Sequence, residues 1–392
     1  MRKLEELMAK FGLNTIPYVS LGDVVDYEQP SRYIVRSTDY DDTYVTPVLT
    51  AGQTFILGYT NETDGHYEAS HENPVIIFDD FTGAFKWVEF PFKVKSSAMK
   101  MLRAKAEFIM LRYVYHVMGY LGFTSSEHKR LWITIYSEFK IPLPPLEVQH
   151  EIVRILDSFT LLTAELTAEL TARKKQYEYY CEKLLDRESV ESEIITISEL
   201  GKWSGGKTPS MAEKGYWDNG TIPWISSKDM KFSTLSDTQD HITVKAINEA
   251  SMTVYPKNSI AIVTRSGILK HTFPVAYVPF ETTVNQDIKM LIVKEGILPR
   301  YAFHVIHGKA KDILAKTKKQ GGTVDSLDFQ KVLEYEIPLP PIDIQEKLVR
   351  VLDNFDAICS DLNVGLPAEI EARQKQYEYY RDKLLTFKEL GE

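Results

Sequence analysis

Two short blocks of this chain each occur twice. Ile141-Pro-Leu-Pro-Pro-Leu-Glu-Val-Gln149 returns 196 residues later as Ile337-Pro-Leu-Pro-Pro-Ile-Asp-Ile-Gln345. Ala172-Arg-Lys-Lys-Gln-Tyr-Glu-Tyr-Tyr180 returns 200 residues later as Ala372-Arg-Gln-Lys-Gln-Tyr-Glu-Tyr-Tyr380. A duplicated chain folds naturally into an object of approximate two-fold symmetry. Such an object suits a target with two spaced halves, and duplex DNA offers many.

Weaker matches lie between the strong ones, in order. Leu21-Gly22 pairs with Leu200-Gly201, and Thr46-Pro-Val-Leu-Thr50 with Ile222-Pro-Trp-Ile-Ser226. Phe81-Thr-Gly83 and Lys86 pair with Arg265-Ser-Gly267 and Lys270. Lys100-Met-Leu matches Lys289-Met-Leu, and Arg112-Tyr-x-Tyr-His-Val117 matches Arg300-Tyr-x-Phe-His-Val305. A shared order with small drifts in spacing marks a repeat that spans the chain.

Each half therefore has a variable globular part and a tail. The globular parts, 1–141 and 189–337, carry short β-rich runs such as Pro74-Val-Ile-Ile-Phe78 and Ser259-Ile-Ala-Ile-Val263, punctuated by turn residues. The spacing predicts mixed α/β (α+β) domains with irregular sheets. The tails, 142–188 and 338–392, are helical. Paired prolines precede an apolar helical stripe, Ile152, Leu156, Phe159, Leu162, Leu166, Leu170, Tyr177, Tyr180 and Leu184. As one helix, residues 146–186 would span ~60 Å and need a partner along their length. The second tail is the expected partner. Asn363-Val-Gly365-Leu-Pro367 should break or kink it. Thr163-Ala-Glu-Leu-Thr-Ala-Glu-Leu170 repeats a tetrapeptide inside the first helix. Each copy advances a helix by ~6 Å, so a copy gained or lost would change the length of a spacer and keep its faces; the string also reads as helix-forming filler of Ala, Leu and Glu.

With 392 residues, more than one core is expected. No apolar run reaches the ~20 residues of a membrane span, and the N-terminus has no apolar signal core, so a cytoplasmic location is expected. Cys181 and Cys359 sit in no metal-ligand spacing. A net charge of −9 argues against unaided nucleic-acid binding, but leaves room for local basic surfaces and basic partners. Two runs are basic: 93–112 (Lys93, Lys95, Lys100, Arg103, Lys105, Arg112) and 300–319 (Arg300, Lys309, Lys311, Lys316, Lys318, Lys319). They read either as solvated helix faces or, since each half has one, as a shared binding role.

Several strings imitate catalytic motifs. Gly201-Lys-Trp-Ser-Gly-Gly-Lys-Thr208 fits the phosphate-cradling pattern, but Pro209 stops the helix that the pattern needs. Asn73-Pro74-Val75-Ile76 lacks the aromatic of an adenine methyltransferase motif and reads as a turn into a strand. Glu127-His-Lys129 lacks an acidic partner. His116 and His304 occupy equivalent positions among apolar residues and read as packed, hydrogen-bonded histidines. The chain's own alternatives are a P-loop NTPase, a free-standing methyltransferase, or a coiled-coil interaction protein without DNA binding.

The IPLPP-led helices, the TAEL tetrapeptides, the KQYEYY endings and two dissimilar globular parts resemble the specificity subunits of type I restriction–modification systems. Gly205-Gly-Lys-Thr-Pro-Ser210, Tyr216-Trp217, Thr221-Ile-Pro-Trp-Ile-Ser226 and Gln320-Gly-Gly-Thr323 add to the likeness, which covers the whole chain. The resemblance implies two target recognition domains, one for each half of a split DNA sequence. It implies two long antiparallel helices forming a coiled-coil spacer, in pseudo-two-fold arrangement, with the TAEL count altering the half-site spacing. It implies double-stranded DNA and two methyltransferase subunits as partners, with restriction subunits optional. S-adenosylmethionine for N6-adenine methylation would then sit in the methyltransferase subunits, and ATP and magnesium in the restriction subunit. No cofactor, metal or catalytic residue is expected in this chain.

Base edges are read by polar side chains and phosphates are held by Lys and Arg. The candidates in the first domain are Tyr27, Arg32, Thr50, Thr82, Lys86, Lys93, Ser96 and Ser97. In the second they are Lys207, Ser226, Lys228, Arg265, Ser266, Lys270, Asn285, Gln286, Lys318, Lys319, Gln320 and Thr323. Thr82/Ser266, Lys86/Lys270, Ser96/Asn285 and Ser97/Gln286 are read as repeat equivalents.

Overall fold

The structure is a computed structural model. It describes all residues except 1, 12–15, 53, 124–128, 186–191, 320–323, 361–364 and 389–392. The chain divides into two compact units, Met1–Thr163 with Ala372–Glu392, and Ala164–Glu371.

The first unit opens with α1 (Arg2–Lys10), β1 (Tyr18–Ser20), α2 (Leu21–Val24) and β2 (Val25–Glu28). Next come β3 (Thr46–Leu49), β4 (Ile56–Thr60), β5 (Val75–Asp79), β6 (Phe85–Val88), β7 (Lys93–Val94) and β8 (Met99–Ala104). They lead to α3 (Leu111–Leu121), α4 (Leu131–Thr134), β9 (Lys140–Pro142) and the long α5 (Leu146–Leu184). The second unit repeats the plan with β10 (Glu193–Thr196), β11 (Gly201–Gly205), β12 (Ile222–Ile225), β13 (Asp240–Ile242), α6 (Val244–Glu249), β14 (Ser259–Val263), β15 (Val275–Val278), β16 (Thr283–Val284) and β17 (Ile288–Val293). Then follow α7 (Pro299–Gly308), α8 (Ala310–Thr317), α9 (Phe329–Leu333), β18 (Glu336–Leu339), α10 (Ile342–Ser360) and α11 (Leu366–Leu385); α5 passes into the second unit at Ala164, and α11 belongs to the first unit from Ala372.

The sheets match one for one. The order β2-β8-β5-β6 in the first unit is β11-β17-β14-β15 in the second, and β4-β3-β7 is β13-β12-β16. Even the parallel pairs correspond, β3 with β7 and β12 with β16. β1 pairs with β9, and β10 with β18, so each IPLPP string leaves a short antiparallel ladder before its helix. The apolar runs Val75–Phe78 and Ser259–Val263 are fully buried because β5 and β14 are inner strands covered on both faces.

The ladders correct three repeat pairings. Val25 lies opposite Ala104 and Gly201 opposite Val293. Since the Lys100 and Lys289 strings align β8 with β17, Gly201 corresponds to Val25, and Leu21-Gly22 falls three residues early. Lys86 sits on β6, whereas Lys270 ends a 3-10 turn in the longer β14–β15 connection, so they are not equivalents. Val94 and Val284 end β7 and β16, which pairs Ser96 with Gln286 rather than with Asn285.

The first basic run is likewise not a helix face. Lys93 is in β7, Lys100 is in β8, and both are buried. Lys100 Nζ lies 3.1 Å from Asp80 Oδ2 and 5.0 Å from the Tyr27 ring centroid. In the tails, α5 is one continuous helix, while the second tail is assigned as α10 and α11 on either side of residues 361–364. Gly365 and Pro367 fall at the start of α11, where a missing N–H costs no ladder bond.

Candidate nucleic-acid interface and the joints that hold it

Each sheet assembly is tied to the tail helices by the same joint. In the first unit, His116 on α3 is buried; its Nε2 lies 2.8 Å from Asp157 Oδ1 on α5 and its Nδ1 lies 3.1 Å from the Tyr377 hydroxyl on α11. Arg112, one turn earlier on α3, donates Nε to the same Asp157 oxygen at 2.8 Å. In the second unit, His304 on α7 makes the same bonds to Asp353 at 2.6 Å and to Tyr177 at 3.0 Å, and Arg300 Nε reaches Asp353 at 2.8 Å. The spacing Arg-x-x-x-His puts both side chains on one helix face. Nε2–H donates to the carboxylate, which leaves Nδ1 to accept from the tyrosine.

Burial pushes both histidines below their ordinary value; the aspartate bonds oppose this only in part. Burial would raise Asp157 and Asp353, but hydrogen bonds from the histidine and arginine outweigh it and hold both carboxyls low. The joint is thus a neutral imidazole between a tyrosine hydroxyl and an ionised Asp–Arg pair. It fits structure rather than catalysis, because both ring nitrogens of each histidine are paired within the fold.

The glutamine that ends each IPLPP block completes the joint. Gln149 Oε1 accepts from Met110 N–H at 2.9 Å, and its Nε2 donates to Phe108 O and Pro144 O. Gln345 repeats this with Leu298 N–H and Pro340 O. Met110 and Leu298 are the N-cap residues of α3 and α7. Each glutamine therefore ties the cap position of a globular-part helix to the proline turn that starts its tail. Tyr113 and Tyr301 donate to Pro142 O and Pro338 O from the same helices. His116 and His304 were expected as packed, hydrogen-bonded histidines; the roles of the arginines, glutamines and tyrosines were not assigned from sequence. The repetition of Gln149/Gln345 and of Arg-Tyr-x-x-His was the available signal.

The DNA-contact candidates separate into groups. Lys93 is a correction: its ammonium lies 2.9 Å from Glu62 Oε2 and donates to Asp64 O, all inside the domain. Ser226 and Asn285 are also buried and bonded internally, Ser226 to Asp229 and Asn285 to Asp287 N–H. Tyr27 and Lys86 are half-buried on strands, Tyr27 beneath Lys100. Thr50, Thr82 and Ser96 accept from their own turns, at Gly52, Ala84 and Ala98. Half-buried Ser266 does the same at Ile268. Arg32, Thr82, Ser96, Ser97, Lys207, Lys228, Arg265, Lys270, Gln286 and Lys319 are exposed. Lys228 pairs with Asp240 at 2.5 Å. Gln320 and Thr323 lie outside the described residues, as do Glu127 and His128 of the Glu-x-Lys string.

In the second unit the structure brings two sets together. Lys270, Lys318 and Lys319 line a concavity of about 620 Å3 with Lys311 of α8; among the described residues Asp325, paired with Lys318 at 3.0 Å, is its one acidic lining residue. Lys311 was legible only as part of the second basic run. The other set surrounds the loop after β11. Lys207 and Thr208 are exposed, and Thr208 Oγ1 donates to Gln286 Oε1 at 2.6 Å. Two indoles fix this loop from beneath, Trp224 Nε1 to Lys207 O and Trp217 Nε1 to Ser210 O, both at 3.1 Å. It is thus held still before any ligand arrives.

The same loop disposes of the phosphate-cradle alternative. Gly201–Gly205 is strand β11, and no helix follows Thr208. A Cβ on Gly206 would stand 1.8 Å from Val284 O, so that glycine serves a backbone crossing. Asn73 closes a turn with Ser70 and leads into β5, as its sequence implied. Among the described residues no group of His, Cys, Asp and Glu is placed to hold a metal, and no helix is long and apolar enough to cross a membrane.

The family model for the type I restriction modification DNA specificity domain matches residues 15–173 and again 189–372. The chain is 50% identical, over 99% of its length and 97% of the relative's, to the type I restriction enzyme EcoR124I/EcoR124II specificity subunit of Escherichia coli. It is 29% identical, over 86% of both chains, to the putative specificity subunit S.HindORF215P of Haemophilus influenzae. In fold it is similar to the crystal structure of the type I S subunit from M. genitalium, with a TM-score of 0.59 over 95% of this chain and 97% of that one at 13% identity. Duplicated sheets on duplicated joints, and a family match that falls once on each half, place this chain among the specificity subunits of type I restriction–modification systems, the DNA-recognising and non-catalytic component of those enzymes.

Proposed function

We propose that the two globular parts each read one half of a bipartite DNA sequence, and that the tails act as an antiparallel spacer with pseudo-two-fold symmetry that fixes the gap. The observation that carries this is the duplicated joint. Two sheet assemblies of the same topology sit on identical Arg–His–Asp–Tyr–Gln anchors, while their exposed loops differ in sequence and length. Two lysine-rich and polar loop sets in the second unit supply phosphate and base-edge chemistry, respectively.

The partners that would act on the target are two methyltransferase subunits, carrying S-adenosylmethionine and methylating adenine N6, with a restriction subunit using ATP and magnesium as an optional addition. The net charge of −9 favours tight DNA binding only in such a complex. The test is to express the chain with a methyltransferase subunit and sequence the methylated adenines. Two short sequence blocks separated by a fixed gap are expected. A single uninterrupted block, or no adenine methylation, would overturn the reading.

A further inference from the structure

The two tail ends are nearly the same peptide. Over the 14 residues Ala172–Leu185 and Ala372–Leu385 they differ at three places, Lys174/Gln374, Cys181/Arg381 and Glu182/Asp382. The first and third pairs are exposed. The second pair faces the globular-part helix in each unit, and there the helices differ in a matching way. Where α3 has Gly119-Tyr120, α7 has His307-Gly308.

In the second unit Cys181 is buried against the end of α7. A Cβ on Gly308 would come within 3.1 Å of Cys181 Cβ, so the helix backbone meets the small thiol with no room for a side chain at 308. The His307 ring takes the neighbouring space, stacked on Phe303 and 6.0 Å from the Tyr177 ring. In the first unit the arrangement is inverted. Gly119 carries no ring, and a Cβ there would meet nothing within 4 Å. Arg381 enters from the tail, donates Nη1 to Gly119 O at 3.2 Å, and lies 6.0 Å from the Tyr377 ring centroid. Gly119 is in the last turn of α3, where a cation is favoured by the unpaired carbonyls. Tyr120, in the place of Gly308, reaches outward to Thr386 at 3.1 Å.

We infer that Cys181 with His307-Gly308 and Arg381 with Gly119-Tyr120 form a pairing code that assigns each otherwise equivalent tail end to its own globular part. With the tails exchanged, Arg381 would be driven into a space filled by His307, and Cys181 would leave the Gly119 carbonyl uncapped over a void. Both errors disfavour the wrong tail–domain pairing, which the shared Tyr–His–Asp joint alone would tolerate.

The test uses the full chain and hydrogen exchange of the two tail ends. The double exchange Cys181→Arg with Arg381→Cys should speed exchange of amides in 172–185 and 372–385 by at least about tenfold. Adding His307→Gly, Gly308→Tyr, Gly119→His and Tyr120→Gly should restore most of the protection. Arg381→Cys alone, which uncaps Gly119 O and opens a void without introducing a clash, keeps the test readable if the double exchange fails to fold; protection should fall in 372–385 and stay unchanged in 172–185. Unchanged protection in the exchanged chain, equal loss at both ends in Arg381→Cys, or no recovery with the compensating set would overturn the code.

Discussion

The Nε2 atom of His304 lies 2.6 Å from Oδ1 of Asp353, and the same carboxylate oxygen receives Arg300 Nε at 2.8 Å. One acid thus orders a neutral ring and a cation at once. The consequence is an acid-labile fold. His116 and His304 are held below their ordinary value by burial, and burial pushes the neighbouring His307 down to about 4. The unfolded chain takes up these protons near 6.5, whereas the folded chain does not until lower pH. Stability should therefore be full above 6.5 and fall as pH drops through 6.5 toward 4, His307 alone accounting for about 3 kcal/mol. Asp157 and Asp353, held low by their histidine and arginine bonds, add a further loss below about 3.8. Urea midpoints between pH 8 and 4.5 check this, and His307→Phe should flatten the upper part of the curve.

Gln149→Ala should cost about 2–4 kcal/mol, because it strands the Met110 N–H and Pro144 carbonyl at a buried site. Gln345→Ala should act alike through Leu298 and Pro340. Exchange protection should fall near Met110 for the first and near Leu298 for the second.

Lys93 and the concavity lysines should behave oppositely. Lys93→Met leaves the half-buried Glu62 without its cation and should destabilise by about 2–3 kcal/mol, with no change in the salt dependence of DNA binding. Thermal melts and salt titrations of the same variant separate the two effects.

Replacing Lys270, Lys311 and Lys319 together by alanine should weaken DNA binding by the methyltransferase complex and lower the slope of log K against log salt by about 2–3. Melting temperature should hardly move, since all three side chains are exposed. A loss confined to one DNA sequence, with the slope intact, would contradict phosphate contact.

Gln286→Ala removes one polar group from the fixed loop around Thr208. It should relax the half-site read by the second globular part and leave the other half-site unchanged. Sequencing of methylated sites reports both halves in one measurement.

Much of the frame was legible because repetition exposes it. The IPLPP blocks located the ends of the sheets, the apolar stripe from Ile152 to Leu184 located α5, and the expected break at Asn363–Pro367, whose first two residues lie outside the described ones, falls between α10 and α11. His116 and His304 were legible as packed histidines because they recur among apolar neighbours. The contact surface was much less legible. Lys93 and Lys319 look alike in sequence, yet one sits on a two-residue strand facing Glu62 and the other on an open loop. Charge in a short irregular strand has no periodicity to reveal its direction. The pairing of Lys86 with Lys270 failed for a related reason: the hairpin between β14 and β15 carries extra residues that shift everything on it.

The joint residues lie on helices and proline turns, and the exposed loops lie on sheets that hang from them. A substitution at Lys207 or Lys319 therefore disturbs no hydrogen bond of the Arg–His–Asp–Tyr–Gln set. Mutational drift in the loops is cheap for the fold while drift in the anchors is not. A lineage of such chains is free to change what it recognises far faster than how it is assembled.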